Sequence, residues 1–280
     1  MTAKSALLGV LRPRIRLKSA DEIEAMRPAG RLVAQALVMA RALVRPGATT
    51  GEIDAAIDAH FAAHGAKPLF KGYPGKTPFP AATCISVNEE VVHGIPGGRV
   101  LQDGDLVTLD TGCEYQGWCG DSAITVPVGK VAPDRLRLWQ VAEETLRLAL
   151  RELPRQRKWS QVARKMAEFV RANGYSVVEN FVGHGIGRTM HEDPQVPNYD
   201  SRSWAKDDFF LDPGLVIAIE PMVNMGKKDT RVLDDEWTVI AKDRLPSVHV
   251  EHIAALTRHG VEILTDRLPF ETPAAVALSP

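Results

Sequence analysis

The chain is poor in cysteine, has no excess of either charge and lacks long apolar runs, and each shortage closes off a class of protein. Three cysteines, Cys84, Cys113 and Cys119, in 280 residues are an odd number in a chain long enough to fold without staples, which favours a reducing compartment over a disulfide framework. The spacing of Cys113 and Cys119 matches no zinc motif, so both are expected as small buried or rim residues. The 34 basic and 35 acidic residues are interspersed, with a formal net charge of −1. No basic face announces nucleic acid, and no polybasic run announces a membrane surface. No apolar run is long enough to span a bilayer, and residues 1–20 hold arginines and a proline without a signal-peptide core. These features read as cytoplasmic, with a modest molecule as partner.

A repeat organises what is there. Leu101 to Asp110 reads L-Q-D-G-D-L-V-T-L-D and Leu211 to Glu220 reads L-D-P-G-L-V-I-A-I-E, with the leucine, the glycine, the apolar run and the terminal acid in register. Each copy has the pattern of a buried strand ending on a carboxylate that the core would expel unless something paired it. A divalent cation held by oxygen ligands from opposed strands is an economical partner for Asp110 and Glu220.

The surrounding order is duplicated too. Residues 1–18 form a basic, proline-marked extension, and residues 19–280 are read as one catalytic domain. Capping boxes at Ser19-Ala20-Asp21-Glu22 and Thr49-Thr50-Gly51-Glu52 open two helices. Pro28 is expected to break or kink the first. Ile53, Ile57 and Phe61 hold one face of the second, which Gly65 ends. A strand around Cys84–Val87 follows, and Glu114 to Gly120 is read as a hairpin turn using Gly117 and Gly120, carrying Asp121 back beside Asp110. The second half repeats the pattern: a long helix from Asp134 to about Leu153, a shorter one from Ser160 to Asn173, a strand near Tyr175–Phe181, and Val248-His249-Val250-Glu251 as the partner strand for Glu220. Two such halves imply an α+β domain with approximate internal two-fold symmetry, its four acids meeting on the pseudo-axis.

Four carboxylates in matched positions would raise one another's pKa unless cations neutralised them. His184 lies in G-H-G-I-G, where glycines leave the imidazole unobstructed. One imidazole with four carboxylates suits first-row ions such as Mn, Fe, Co or Zn, and a two-metal centre can activate water and polarise a carbonyl together, the combination that hydrolyses amides. His93 and His191 flank glycine-rich turns and are assigned to hydrogen bonds with the substrate and the tetrahedral intermediate. His252 is read as structural, and His249 is expected on the face away from the metals.

The residues resemble the type I methionine aminopeptidases of the pita-bread fold, from about Leu17 to about Thr265. The resemblance rests on N-E-E-V-V-H-G-I-P at Asn88–Pro96, the Asp110 and Asp121 pair, G-H-G-I-G-R-T-M-H-E-D-P-Q-V at Gly183–Val196, I-E-P-M at Ile219–Met222, D-E-W-T at Asp235–Thr238 and V-E-H at Val250–His252. It implies that Asp110, Asp121, His184, Glu220 and Glu251 bind two divalent cations (Co, Mn, Fe, Zn or Ni), with Asp121 and Glu251 touching both. It further implies that His93 and His191 contact substrate and that Glu220 shuttles a proton. The implied reaction is removal of the initiator methionine from nascent proteins whose second residue is small, with Tyr73, Phe79, Cys84 and Trp237 forming the methionine pocket. The implied partners are nascent N-termini, with transient ribosome association, for a monomer that binds neither membrane nor nucleic acid.

Departures from the family pattern are extra loop residues at Lys76-Thr77-Pro78, Met190 where an aromatic is frequent, Cys119 where a histidine is common and Ile253 for a threonine. They bear on pocket shape. A proline-specific peptidase of the same fold would share the ligand set but carries a large N-terminal domain and would not favour Met222. A type II enzyme needs an inserted helical subdomain, for which the 28 residues between His191 and Glu220 are too few. A non-catalytic binding protein of this fold should have lost ligands, and none is lost.

Overall fold

The structure, a computed structural model, describes residues 15–200 and 206–268. The expected basic extension falls outside the described residues up to position 14. Its last member, Lys18, is buried, and its Nζ lies 2.7 Å from Glu192 Oε2.

The first half comprises α1 (Ala20–Leu43), α2 (Thr50–Ala63), β1 (Lys67–Pro68), β2 (Thr83–Val87), β3 (Glu90–Val92), β4 (Leu106–Tyr115) and β5 (Trp118–Pro127). The second opens with α3 (Pro133–Glu152) and α4 (Trp159–Ala172), followed by β6 (Ser176–Val177), β7 (Gly183–Gly185), β8 (Glu192–Val196), β9 (Val216–Ile219) and β10 (Met222–Asn224). It closes with β11 (Thr230–Val232), β12 (Val239–Ala241), β13 (Ser247–His249), β14 (His252–Thr257) and β15 (Gly260–Ile263). The helix pair, strand and hairpin order therefore recurs, and every strand pairing between these elements is antiparallel.

Both capping boxes form. Ser19 Oγ accepts from Glu22 N while Glu22 accepts from Ser19 N, and Thr49 and Glu52 do the same, satisfying amides that a helix start leaves orphaned. Pro28 does not break α1, which runs unbroken for 24 residues. The proline deletes one helical hydrogen bond, but Ile23, Met26, Val33, Leu37 and Ala40 on both sides of it share one buried face, and burial on that scale outweighs a missing bond.

Each helix pair covers the sheet of its own half. Ile53, Ile57 and Phe61 of α2 join Val33 and Leu37 of α1 against Ile85, Val107, Leu109 and Ile124. Val162, Met166 and Val170 of α4 join Leu138 and Leu146 of α3 against Ile217, Ile219, Val223 and Val250. In the second half β6 is only two residues long, so the strand expected at Tyr175–Phe181 is mostly loop, although Val177 and Val178 are buried. Apolar run length identified a buried segment there without identifying its hydrogen bonding.

The β4–β5 connection is tighter than expected. Tyr115 pairs with Trp118, leaving Gln116 and Gly117 as a two-residue turn, both with positive φ, as a type I′ hairpin requires. Gly120 lies within β5 and serves packing instead: a Cβ there would fall 2.6 Å from the Ala29 carbonyl oxygen of α1. We expect Gly120→Ala to lower stability by about 1–3 kcal/mol because α1 must shift, whereas Gly98→Ala, with no atom in reach, should stay within about 0.5 kcal/mol. Urea unfolding of the metal-saturated variants checks the pair.

Candidate metal centre and substrate pocket

The hairpin register sets two of the acids. Asp110 lies opposite Ala123 and Asp121 opposite Gly112, so the two carboxylates are diagonal neighbours on one face of the ribbon. In the second half His252 pairs with Ile219 and Met222 with His249. Both pairs sum to 471, the register that sets Glu220 against Glu251. Strand β5 also grips this stretch: the Ala123 carbonyl accepts from Glu251 N at 2.9 Å, Ser122 Oγ donates to the Glu251 carbonyl at 2.6 Å, and Thr125 Oγ1 donates to the His249 carbonyl at 2.7 Å. Asn198 Nδ2 donates to the Glu220 carbonyl at 3.0 Å.

His184 sits on β7, which is squeezed between its neighbours. A Cβ on Gly185 would fall 2.2 Å from the Asp193 carbonyl oxygen, so this glycine is required by strand approach as well as by access to the ring. The ring is oriented by its own strand: Nδ1 lies 2.9 Å from the Gly185 carbonyl and donates to it. That leaves the Nε2 lone pair facing the acids, 3.9 Å from Asp121 Oδ2 and 3.6 Å from Glu220 Oε1.

All these groups open onto one cavity of about 310 Å³. It is lined by each residue the sequence singled out: Asp110, Asp121, His184, Glu220 and Glu251 at one end, His93 and His191 beside them, and Tyr73, Phe79, Cys84 and Trp237 at the apolar end. Sequence reasoning missed Phe70, Val92, Phe181, Met222 and His249, which line it too. The placement of His249 corrects the expectation that it faces away. Residues two apart on a strand share a face, so His249 and Glu251 go together. His249 Nε2 lies 3.7 Å from Glu220 Oε2. His252 does turn away, to Thr265 Oγ1 at 2.9 Å and Arg267 at 3.0 Å.

The electrostatics suit cations. Burial raises the Asp110 carboxyl to about 7. Burial, then the charge of neighbouring acids, holds Asp121, Glu220 and Glu251 well above the usual carboxylate range. Burial followed by His191 lowers His184 to about 4, so it is a neutral donor at working pH. Asp110 Oδ1, Asp121 Oδ1 and Glu251 Oε1 are buried without a hydrogen-bond partner, and Asp121, His184 and Glu251 each offer a ligand atom within 4.8 Å of the others. Orphaned carboxylate oxygens converging with an imidazole lone pair are the donor set a divalent ion takes.

At the other end Phe79 and Trp237 meet edge to face at 5.3 Å. The extra loop residues support this pocket: the Thr77 carbonyl accepts from Trp237 Nε1 at 2.8 Å, and Lys76 pairs with Glu236. Tyr73 hydroxyl lies 3.0 Å from His191 Nδ1. Met190 packs with Tyr73, Phe79 and Cys84. The cysteines are free and buried, with Cys119 Sγ 3.7 Å from the Arg188 carbonyl, outside the cavity.

A family model described as metallopeptidase family M24 matches residues 24–258. The chain belongs to this family. Within M24, it is 42% identical over 248 residues to methionine aminopeptidase 1 of Bacillus subtilis (strain 168), covering 89% of this chain and 98% of that one. With the methionine aminopeptidase of Escherichia coli (strain K12) it shares 41% identity over 265 residues, covering 94% and 98%. The crystal structure of methionine aminopeptidase from Thermotoga maritima superposes with a TM-score of 0.85 at 40% identity, covering 90% and 99%. Prolidase from Pyrococcus furiosus, at 22% identity and a TM-score of 0.69, shares the fold. The M24 chain thus has the α+β pita-bread architecture of two antiparallel halves backed by helices.

The raised acids give a signed prediction for metal-free protein. A carboxyl whose folded pKa lies above its unfolded value opposes folding increasingly as pH rises from the unfolded toward the folded value, here from 3.8 to about 7 for Asp110. Metal-free Asp110→Asn should therefore melt above the metal-free parent near pH ~7 and match it near pH ~4. Calorimetry at the two pH values decides, and a constant difference would contradict the assignment.

Proposed function

We propose that the protein is a metal-dependent aminopeptidase that removes the N-terminal initiator methionine from nascent proteins when the second residue is small. The observation that carries this reading is one cavity with a carboxylate-imidazole cluster at one end and an aromatic-lined apolar pocket at the other. Full-length similarity to proteins named methionine aminopeptidase supports it.

In this reading Asp110, Asp121, His184, Glu220 and Glu251 would hold two divalent cations, drawn from Co, Mn, Fe, Zn or Ni. Bound there, the cations would supply Lewis-acid polarisation of the scissile carbonyl and acidify the attacking water. The protein's own groups do the rest. Tyr73, Phe79, Cys84 and Trp237 enclose the methionine side chain, offering polarisable surface to sulfur. Tyr73 hydroxyl lies 3.0 Å from His191 Nδ1; with Nδ1 accepting, the ring carries its proton on Nε2 and presents it to the substrate. Burial keeps His93 at about 4, so it too serves as a neutral hydrogen-bonding group. Glu220 takes the proton from the attacking water and returns it to the leaving amine, so that hydroxyl ends on the carbonyl carbon and hydrogen on the nitrogen.

Residues 19–280 act as one catalytic domain, a monomer working on nascent N-termini in the cytoplasm, with residues 1–18 as an extension suited to transient ribosome docking. The prolidase likeness carries only the fold, and this chain covers 65% of that protein. No described helix is long and apolar enough to cross a membrane.

Metal-loaded protein should cleave Met-Ala-Ser at least ~10-fold faster than Met-Lys-Ser, as read by amino-acid analysis of released methionine. Equal turnover of Leu-Ala-Ser would overturn the specificity. Asp110→Ala should lose more than ~100-fold in kcat/KM, and a fully active Asp110→Ala would overturn the metal mechanism.

A further inference from the structure

His249 is the one imidazole of the cavity to which neither the sequence nor the family resemblance gives a role. It is 2% exposed, and neither ring nitrogen has a hydrogen-bond partner in the protein. Its backbone cannot drift, because it pairs with Met222 and its carbonyl is held by Thr125 Oγ1. The ring is thereby aimed at the cavity with its hydrogen-bonding capacity unspent, a costly state for a buried polar group.

Glu220 stands between two imidazoles. Oε1 is 3.6 Å from His184 Nε2 and Oε2 is 3.7 Å from His249 Nε2. The two rings are not equivalent. His184 has committed its N–H to the Gly185 carbonyl, so toward Glu220 it offers only a lone pair, which a carboxylate meets favourably through a shared cation. His249 has no such commitment. A neutral imidazole carries one N–H, and with a buried carboxylate oxygen as its polar neighbour the tautomer protonated on Nε2 is favoured. The gap exceeds a hydrogen bond by a few tenths of an ångström, within reach of a small rotation of the carboxylate.

We propose that His249 is a positioning residue for Glu220, its Nε2–H donating to Oε2 so that the carboxylate keeps Oε1 toward the His184 side and carries the reaction's proton from one fixed orientation. The proposal rests on the metal-centre reading and on the role given there to Glu220.

The test uses three variants of the full chain. His249→Gln keeps an amide N–H at comparable reach, His249→Asn keeps the amide but falls short of Glu220, and His249→Met fills the space without a donor. Each is loaded with cobalt(II) and followed by calorimetric titration, by the visible absorption of the bound metal, and by kcat and KM on Met-Ala-Ser. We expect His249→Gln to keep the parent absorption and stay within ~3-fold of the parent kcat, while His249→Met and His249→Asn lose ~10–100-fold in kcat at little-changed KM and shift the absorption. The short amide keeps the test decisive should His249→Met not fold. Parent kcat and parent absorption in His249→Asn or His249→Met would overturn the proposal. Loss of one bound cobalt in all three variants alike would also overturn it, by making His249 a direct ligand. Because metal binding and absorption are read without substrate, a parent protein inactive on Met-Ala-Ser would refute the proposed reaction and leave the geometry of Glu220 to be judged on the spectra.

Discussion

Four carboxylates gathered around one cavity cannot all be charged at neutral pH unless cations offset them, and the architecture is arranged around that constraint. Asp110 and Asp121 come from one hairpin, Glu220 from the end of β9 and Glu251 from the link before β14. The backbone of each is fixed by strand register or by hydrogen bonds from a neighbour, so the four stay gathered at one place. Their mutual repulsion is therefore built in, and it is relieved by protons or by cations. The unpartnered oxygens and the outward-facing Nε2 of His184 favour cations. The aromatic end of the cavity then has a chemical purpose: it brings an apolar side chain, and the peptide bond next to it, to the place where charge is concentrated.

The site was more legible in the sequence than the packing around it. A ten-residue repeat with an acid closing each copy exposed Asp110 and Glu220 because strand alternation and duplication both leave marks one can count. The capping boxes at Ser19 and Thr49 were readable because each is a contact between residues three apart. Pro28 does not break α1 because its local preference competes with burial of a helix face whose partners lie far along the chain. The strand expected at Tyr175–Phe181 shrank to two residues, since apolar content marks burial but not hydrogen-bond partners. His249 was misplaced by its parity with Glu251, which alternation, correctly applied, would have settled. Phe70, Phe181 and Met222 reach the cavity through loops and long-range pairings, for which single-sequence periodicity carries no signal.

The loop carrying Lys76, Thr77 and Pro78 bears on the pocket in a way composition did not reveal. Trp237 is set by the Thr77 carbonyl and by the absence of a side chain at Gly75, where a Cβ would fall 2.4 Å from the indole. The wall at the apolar end of the cavity is thus made by two loops that hold each other, one from each half of the duplicated fold.

The bonds from β5 to His249 and Glu251 carry a historical consequence. A protein that arose by doubling a simpler unit could in principle still be divided into two polypeptides that reassemble. Here the strand that carries one half's Asp121 also holds the backbone beneath the other half's Glu251. Neither half retains a complete set of donors or a self-sufficient scaffold for those it has. Separating the copies would therefore take apart the cluster of acids along with the sheet that holds it.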